Sequence, residues 1–307
     1  MSIILITGGS GLIGMALCKL LVEQKHRVIV LSRSHREPGN GIEYAKWDID
    51  KGIIDQNAIE QSEIIIHLAG AGVADARWTA SRKKEIRESR TKSAALIVRA
   101  LKDYSNKIHT VVSASAIGWY GRDHQKAPVP FSENDQPSAG FLAETCRLWE
   151  ESIEPVSALG KRLVILRTGI VLSNEGGALP EFKRSLKFGI AAILGSGKQM
   201  ISWIHMDDLC RIYIESIRNP AIAGIYNAVA PEPCTNKRLM LELAKRKRGN
   251  NFLSVHVPSF ALKIIMGEMS MEVLKSTTVS SRKIHQTGFQ FQFPTIGAAL
   301  RDLSGGQ

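Results

Sequence analysis

A glycine-rich turn near the amino terminus constrains this 307-residue chain more than any other feature. Gly8, Gly11 and Gly14 follow the apolar run Ile3–Thr7 and open a segment with the apolar spacing of a helix. In a strand–turn–helix unit, glycines at this spacing allow a tight turn, a close approach of backbone N–H groups to a phosphate, and close packing of helix on strand. Because the first N–H groups of a helix are free and its dipole is positive there, we predict a diphosphate-binding turn.

Residues 1–170 alternate between strand-like and helix-like segments, which predicts βαβ units and a parallel sheet. Each predicted strand is a compact run of β-branched residues or leucine with little polar alternation, as expected of strands covered on both faces. The predicted strands are Ile3–Thr7, Val28–Ser32, Ile64–His67, Thr110–Ser113 and Leu163–Leu166. The fold class that follows is α/β, a Rossmann-type doubly wound parallel sheet with a small C-terminal α/β substrate lobe.

The order of the segments also predicts the domain organisation. We assign residues 1–229 to the sheet domain, with a lobe insertion near residues 173–205, and residues 230–307 to the substrate lobe. Prolines, glycines and polar residues predict surface loops at residues 122–140 and at residues 173–180, the second of which contains Pro180.

Composition restricts the class of protein. Lys plus Arg number 40 against 29 Asp plus Glu, but the basic residues are dispersed without interleaved aromatics, which favours a solvated surface over nucleic-acid binding. No apolar run approaches the roughly 20 residues that span a bilayer, and no leader segment is visible, so we expect a cytoplasmic protein without a membrane partner. The scattered cysteines favour neither a disulfide framework nor a metal site; they are Cys18, Cys146, Cys210 and Cys234.

The end of the second predicted strand indicates the cofactor. Proteins of this fold that prefer NAD usually place Asp or Glu there, on the ribose 2′-hydroxyl. This chain has Ser32 and Arg33 instead, with Arg36 as a second, weaker candidate. Arg33 can pair with a 2′-phosphate and Ser32 can add a hydrogen bond, and such a charge-assisted contact is worth roughly 1.5–3 kcal/mol. We therefore predict NADP(H) as the cofactor.

Further motifs give a resemblance that covers nearly the whole chain. Besides the glycine turn, the segments that carry the resemblance are His67–Gly70, Arg77-Trp78, Ser89-Arg90, Ser113–Gly121, Phe141–Glu144, Arg167–Gly169, Gly176–Leu179, Gly195–Gln199, Ser202–His205, Gly288-Phe289 and Phe293-Pro294. With these segments the chain is similar to extended short-chain dehydrogenases/reductases, and more closely to their atypical branch of "epimerase family", or nucleoside-diphosphate-sugar epimerase-like, proteins. A homodimer is common among such relatives, so the resemblance allows one, but the sequence itself does not set the oligomeric state.

The resemblance also implies which residues contact the cofactor. Asp48 would lie near the adenine, and the segment after the middle strand would pass the cofactor's ribose with Leu68, Ala69 and Gly70. The residues that would cradle the diphosphate are Gly8, Ser10, Gly11, Leu12 and Ile13. Gly14 completes the predicted cofactor set because it lets the helix pack on the strand.

The resemblance leaves the catalytic residues open. Ser115 falls where extended members carry the serine or threonine that hydrogen-bonds the reacting oxygen, although a strand-end serine bonded to backbone fits equally well. The Tyr-x-x-x-Lys pair, which would follow about 25 residues later and move the proton, is missing. Its two places fall either on Phe141 and Thr145 or on Leu142 and Cys146, and neither pair carries a phenol and a fixed positive charge.

Other residues are candidates for the missing acid. Tyr120 has the right functional group and lies in the same loop as Ser115, but an aromatic that only packs the loop is the alternative. Glu144 and His205 are later candidates, and the acidic pair after His205 is typical of a helix N-cap.

These observations favour an NADP(H)-dependent reductase or epimerase that acts on an unidentified carbonyl or nucleotide-sugar-like substrate. The substrate would lie between the carboxyl edge of the sheet and the lobe. Lys183, Arg184 and Lys198 are in segments that could face it, although solvated surface is the commoner role for each. The alternative is a regulator that binds NADPH without turnover, which the missing Tyr and Lys favour.

Overall fold

The computed structural model describes residues 1–34, 36–123 and 129–305. His35 and part of the predicted loop 122–140, residues 124–128, lie outside the described residues. The strands are β1 Ile3–Thr7, β2 Arg27–Ser32, β3 Ile42–Asp48, β4 Ile53–Ile54, β5 Ile64–His67, β6 Thr110–Ala116, β7 Arg162–Thr168, β8 Ile170–Leu172, β9 Ile190–Leu194, β10 Met200–Ile201, β11 Trp203–His205, β12 Gly224–Ala228, β13 Cys234–Thr235 and β14 Leu253–Val257. The helices are α1 Leu12–Glu23, α2 Gln56–Gln61, α3 Ala80–Asp103, α4 Phe141–Ile153, α5 Pro155–Ala158, α6 Ala178–Leu186, α7 Met206–Arg218, α8 Asn236–Arg248, α9 Ser259–Met266, α10 Met269–Val273, α11 Arg282–Gln286 and α12 Ile296–Leu303.

Among the described residues, eight strands form the main sheet in the order β12-β7-β6-β5-β1-β2-β3-β4. All neighbours are parallel except β4, which runs antiparallel to β3. The chain winds from β1 outward through β2 and β3, then returns to the other side of β1 with β5. The predicted doubly wound parallel sheet is therefore confirmed, and its switch point lies between β1 and β5, where a ligand crevice is expected.

All the predicted strands are present, and some are longer than predicted. β6 continues to Ala116 and β7 to Thr168, so that Ser115 pairs with Arg167 inside the sheet. The predicted loop at 173–180 is wrong at its end, because α6 begins at Ala178. Pro180 is tolerated there because it lies in the first turn of the helix. N–H groups in that turn have no acceptor within the helix, so the N–H that proline lacks costs no hydrogen bond.

Apolar side chains form one buried cluster on each face of the sheet and a third in a separate lobe. The lobe cluster combines residues between Leu172 and Trp203 with residues between Ala230 and Leu303. Ile284 and Phe289 instead pack into the cluster with α1 and α7, so the C-terminal segment contacts both units. The predicted boundary at residues 229 and 230 stays a prediction.

The four cysteine side chains are buried, and none of them is in a disulfide. No described helix combines the length and the apolar character that crossing a lipid bilayer requires.

Candidate nucleotide-binding site

The turn between β1 and α1 requires glycine at positions that a side chain would block. Gly8 has a φ of 70°, and a Cβ there would lie 2.8 Å from the carbonyl carbon of Leu68. A Cβ on Gly14 would lie 2.2 Å from the carbonyl oxygen of Gly8. Sequence reasoning missed Gly9, whose Cβ would lie 2.7 Å from the side chain of Val30. The turn therefore lies directly against the ends of β2 and β5.

The first turn of α1 presents free N–H groups. Its N-cap is Gly11, which has no side chain to accept from them. Some other helices have a capping side chain that accepts a backbone N–H, while α4, α6 and α9 have none. The caps are Asp55, Thr79, His205, Thr235 and Thr295. The start of α1 is thus suited to an external anion, which would take the place of a capping oxygen.

A groove of about 640 Å³ runs along the carboxyl ends of β1, β2 and β5. This volume is in the usual range for ligand sites, roughly 300–1,000 Å³. Most of the predicted cofactor residues line it, namely Gly8, Ser10, Gly11, Ser32, Arg33, Asp48, Leu68, Ala69 and Gly70. Leu12, Ile13 and Gly14 do not; Leu12 packs instead toward Gly176 and Gly177. A smaller apolar pocket of about 260 Å³ in the lobe contains none of the predicted cofactor residues, but Arg184, a candidate for a substrate contact, lines it.

The arginines after β2 differ in their contacts. Arg33 is exposed and forms no hydrogen bond or ion pair with any described residue. Arg36 lies over the ring of Tyr44, with its Cζ 5.8 Å from the ring centroid. Asp48 accepts hydrogen bonds from the N–H groups of Asp50 and Lys51, each at 3.1 Å, which fixes its carboxylate at the groove. Arg33 is therefore the better placed cation for an incoming phosphate.

A buried pair that sequence reasoning missed holds the segment after β5. Thr7 Oγ1 lies 2.7 Å from His67 Nδ1 and accepts hydrogen bonds from the N–H groups of Leu68 and Ala69. His67 has no exposed surface, and burial, with the charge of Arg90 as a second cause, lowers its pKa to about 3. The ring is therefore neutral at pH 7, and it fixes the groove wall without adding charge.

The neutral His67 should make the protein acid-sensitive. Between about pH 6.5 and about pH 3, the unfolded chain holds a proton on this histidine that the native chain does not. The free energy of unfolding should therefore fall as the pH drops through this range, by up to about 1.4 kcal/mol per pH unit for this group. Urea unfolding between pH 4.5 and 7 should show a smaller pH dependence for His67→Gln than for the parent, and equal slopes would contradict the assignment.

The predicted catalytic serine is part of a buried polar network. Ser115 Oγ donates to Glu150 Oε1 at 2.6 Å, and Arg167 binds the same carboxylate through Nε at 2.9 Å and Nη2 at 2.8 Å. The Arg167 guanidinium stacks 3.7 Å from the ring centroid of Trp119. Ser115, Glu150 and Arg167 are all buried. A charged arginine in an otherwise apolar strand was the sequence signal for such a partner.

Tyr120 lies at the other end of this network and has no exposed surface. Its hydroxyl donates to Asn227 Oδ1 at 2.7 Å and accepts from Arg167 Nη1 at 3.0 Å. Its ring stacks on Phe131, and burial raises the pKa of Tyr120 to about 12. These contacts favour the alternative of an aromatic that packs the loop.

The first half of α4 occupies the region expected for the missing Tyr and Lys. A Cβ on Gly118 would lie 3.2 Å from Leu142 Cβ and 3.5 Å from Cys146 Sγ, so both side chains face the loop after β6. Phe141 instead packs against Trp78, with ring centroids 5.0 Å apart. Leu142 and Cys146, rather than Phe141 and Thr145, therefore face the predicted active site.

The later candidates for the acid are engaged elsewhere. Glu144 is exposed and pairs with Arg147 at 2.7 Å. His205, rather than the acidic pair after it, is the N-cap of α7, because its Nδ1 accepts the N–H of Asp207 at 3.2 Å. His205 Nε2 lies 3.3 Å from Asp302 Oδ2. Nδ1 already accepts the N–H of Asp207, so a metal bound at Nε2 would leave the ring without a proton, which makes this cluster a poor metal site.

The three basic residues of the lobe that were candidates to contact an anionic substrate do not lie at the groove. Lys183 Nζ donates to Asn174 and to the carbonyl of Leu303. Arg184 and Lys198 are exposed at the surface. In the part of the chain that the structure describes, none of the three lines the groove at the carboxyl ends of β1, β2 and β5.

The chain is similar to known proteins over almost its whole length. The model of the NAD dependent epimerase/dehydratase family matches residues 4–228, and that of a domain of unknown function, DUF1731, matches residues 257–303. An epimerase family protein of Mycobacterium bovis is 33% identical over 300 residues, which cover 97% of this chain and 96% of that protein. The epimerase family protein YfhF of Bacillus subtilis is 32% identical over 302 residues, which cover 98% and 97%. The crystal structure of the human epimerase family protein SDR39U1 with NADPH has a TM-score of 0.86 at 25% identity, covering 99% of this chain and 100% of that one.

The sheet order, the glycine turn and the groove define a Rossmann-type nucleotide-binding fold of the short-chain dehydrogenase/reductase kind. The family match extends over most of the chain, and the relatives align along almost their full length. The chain belongs to the NAD dependent epimerase/dehydratase family. The resemblance to the atypical epimerase family branch is thereby confirmed.

Proposed function

We propose that this protein binds NADP(H) in the groove and acts as a reductase or epimerase on a carbonyl or nucleotide-sugar-like substrate. The observation that carries the proposal is Arg33, an exposed guanidinium without a partner among the described residues, on the same groove as the uncapped start of α1. The dinucleotide's diphosphate would rest on α1, and its 2′-phosphate would pair with Arg33 beside Ser32. That the human relative was crystallised with NADPH supports this choice.

The residues of the groove fit a dinucleotide. A side chain at Gly8 would collide with the backbone of Leu68, so the turn keeps its N–H groups open to a phosphate. Asp48 has its carboxylate fixed at the end of the groove where the adenosine would lie. When bound, the nicotinamide would supply or accept a hydride.

Ser115 would contact the reacting oxygen of the substrate. Because its proton points to Glu150, its Oγ is free to accept a hydrogen bond from a substrate hydroxyl. A proton leaving that hydroxyl would pass to Ser115 Oγ as the serine proton passes to the Glu150 carboxylate. Tyr120 would stay structural, since its hydroxyl is bonded on both sides and its pKa is raised by burial.

Arg33→Ala tests the cofactor assignment. The affinity for NADPH should fall roughly ten- to a hundred-fold, because a charge-assisted contact to the 2′-phosphate is lost, while the affinity for NADH should stay unchanged. Isothermal titration of both dinucleotides against parent and variant measures this. Arg36→Ala is the matched control and should have a smaller effect, since Arg36 already lies on Tyr44. Equal affinity of the parent for NADPH and NADH would refute the proposal.

A second candidate function is an NADPH-binding regulator without turnover. It is favoured by the network around Ser115, in which each hydroxyl and charge already has a protein partner. Two assays distinguish the functions, because an epimerase returns its hydride to the substrate and consumes no cofactor. NADPH oxidation is followed with a panel of aldehydes and ketones, and nucleotide sugars incubated with the protein and NADP⁺ are analysed for their epimers. Substrate-dependent oxidation or epimer formation supports an enzyme, and tight NADPH binding with neither supports the regulator.

A further inference from the structure

Arg90 of α3 lies between the groove wall and α4. A Cβ built on Gly70 would lie 3.0 Å from the guanidinium carbon of Arg90. On its other side the guanidinium carbon is 4.9 Å from the ring centroid of Trp149. The side chain is half-buried, and its charge lies against Gly70, which lines the groove.

The hydrogen bonds of Arg90 are incomplete. Nη1 donates to the carbonyl oxygens of Ala71 at 2.9 Å and Ile86 at 2.8 Å. Nε and Nη2 have no acceptor among the residues that the structure describes. A guanidinium has five N–H donors, so the donors on these two nitrogens are open to acceptors from outside the protein. Acceptor oxygens of a ligand would satisfy them.

The sheet order indicates which part of a dinucleotide would come near Arg90. The diphosphate is placed at the end of β1, and Arg33 places the adenosine half toward β2 and β3. The second nucleotide must therefore extend in the opposite direction, over β5 and β6. Gly70 comes shortly after β5, and Ser115 is the residue before the last of β6, so the second ribose would pass Gly70, against which Arg90 lies.

The electrostatic surroundings of Cys146 also show that the charge of Arg90 reaches the region in which the second ribose would lie. Burial raises the pKa of the Cys146 thiol to about 12, the carboxylate of Glu150 adds to the rise, and the charge of Arg90 acts against it. Arg90 is thus close enough to α4 to act on the side chain that faces the loop after β6. Cys146 itself carries no positive charge there.

We propose that Arg90 binds the second ribose of the dinucleotide, donating from Nε and Nη2 to its hydroxyl oxygens, and supplies from α3 the fixed positive charge that Cys146 of α4 does not carry. The inference rests on the proposed binding of NADP(H). It makes Arg90 a cofactor-binding residue on the nicotinamide side, opposite in position to Arg33. Its planar fork suits two neighbouring hydroxyls better than an ammonium does.

The test compares two ligands that share the adenosine half. NADPH contains both nucleotides, whereas adenosine 2′,5′-bisphosphate ends before the second ribose. In Arg90→Met, titration calorimetry should show at least a roughly ten-fold loss of NADPH affinity and a change of less than about two-fold for the bisphosphate. Arg33→Ala should weaken both ligands. Arg87→Met, the same substitution at an exposed arginine of α3, should weaken neither.

Each outcome supports or overturns the role of Arg90 in binding the second ribose. Equal losses for both ligands, or no loss for NADPH, would overturn the role of Arg90. If the parent protein bound neither ligand, the proposed function itself would fail instead. Should Arg90→Met not fold by circular dichroism, Arg90→Lys keeps the charge and the stacking stem but not the fork, and it should show a smaller loss confined to NADPH. Unchanged NADPH affinity in that folded variant would equally overturn the inference.

Discussion

Alanine at Gly14 should remove both dinucleotide binding and much of the stability of the protein, whereas alanine at Gly11 should remove binding alone. The Cβ at Gly14 would lie 2.2 Å from the Gly8 carbonyl oxygen and 2.6 Å from Gly9 Cα. Because both atoms belong to the backbone, the helix α1 would have to move away from β1. Forcing extra atoms into a packed site costs typically about 1–3 kcal/mol, and this contact is at the upper end.

Gly11 provides the contrast within the same turn. Its Cβ would lie 3.3 Å from the Gly8 carbonyl oxygen, a close contact that a small adjustment relieves. The methyl group would nevertheless occupy the space in which a diphosphate approaches the N–H groups of α1. We therefore expect Gly11→Ala to keep the free energy of unfolding within about 0.5 kcal/mol of the parent's. Its NADPH affinity should fall by roughly ten-fold or more, because the charge-assisted contact is lost.

Urea unfolding and NADPH titration of both variants measure these effects. Gly39→Ala is the control, since a Cβ there meets nothing within 4 Å, and it should change neither quantity. If Gly14→Ala unfolded at the parent's urea concentration, the close packing of α1 on the turn would be wrong. If Gly11→Ala bound NADPH like the parent, the phosphate would have to lie elsewhere.

The fold could be predicted where burial is two-sided. β1, β5 and the centre of β6 are continuous apolar runs because helices cover both of their faces. β3, which mixes Glu43 and Lys46 with apolar residues and is half-buried near the sheet edge, gives no such pattern and was missed. β12 was missed as well, since it has five residues that include Gly224 and Asn227. Both strands have a weak hydrophobic pattern because they lie at or near an edge of the sheet, where one face or one end of a strand is solvated.

The site could be predicted where it is local in sequence. The glycine turn and Arg33 depend on short segments, and the groove brings them together as expected. The network around Ser115 could not be predicted, because its partners come together only through the sheet order. Glu150 is 35 residues from Ser115, and Asn227 is 107 residues from Tyr120. The incomplete hydrogen bonding of Arg90 likewise depends on how α3 packs against α4.

The largest loss of stability should come from Glu150→Ala, at about 3–5 kcal/mol. The substitution leaves the Arg167 guanidinium, which is 1% exposed, without its carboxylate and without water to replace it. It also removes the acceptor of the Ser115 hydroxyl. The cost is that of an unpaired buried charge and is larger than the net stabilisation from the pair, because forming the pair also required removing both charges from water.

Two comparisons separate this explanation from a general effect of shortening a helix side chain. Glu144→Ala removes an ion pair on the exposed side of the same helix, with Arg147 at 2.7 Å, and should cost less than about 1 kcal/mol. The double variant Glu150→Met with Arg167→Met removes both charges and should recover much of the loss in urea unfolding. A Glu150→Ala variant no less stable than Glu144→Ala would mean that Arg167 reaches solvent. A double variant as unstable as Glu150→Ala would mean that packing against Trp119, rather than the buried charge, sets the cost, because the guanidinium stacks on that ring.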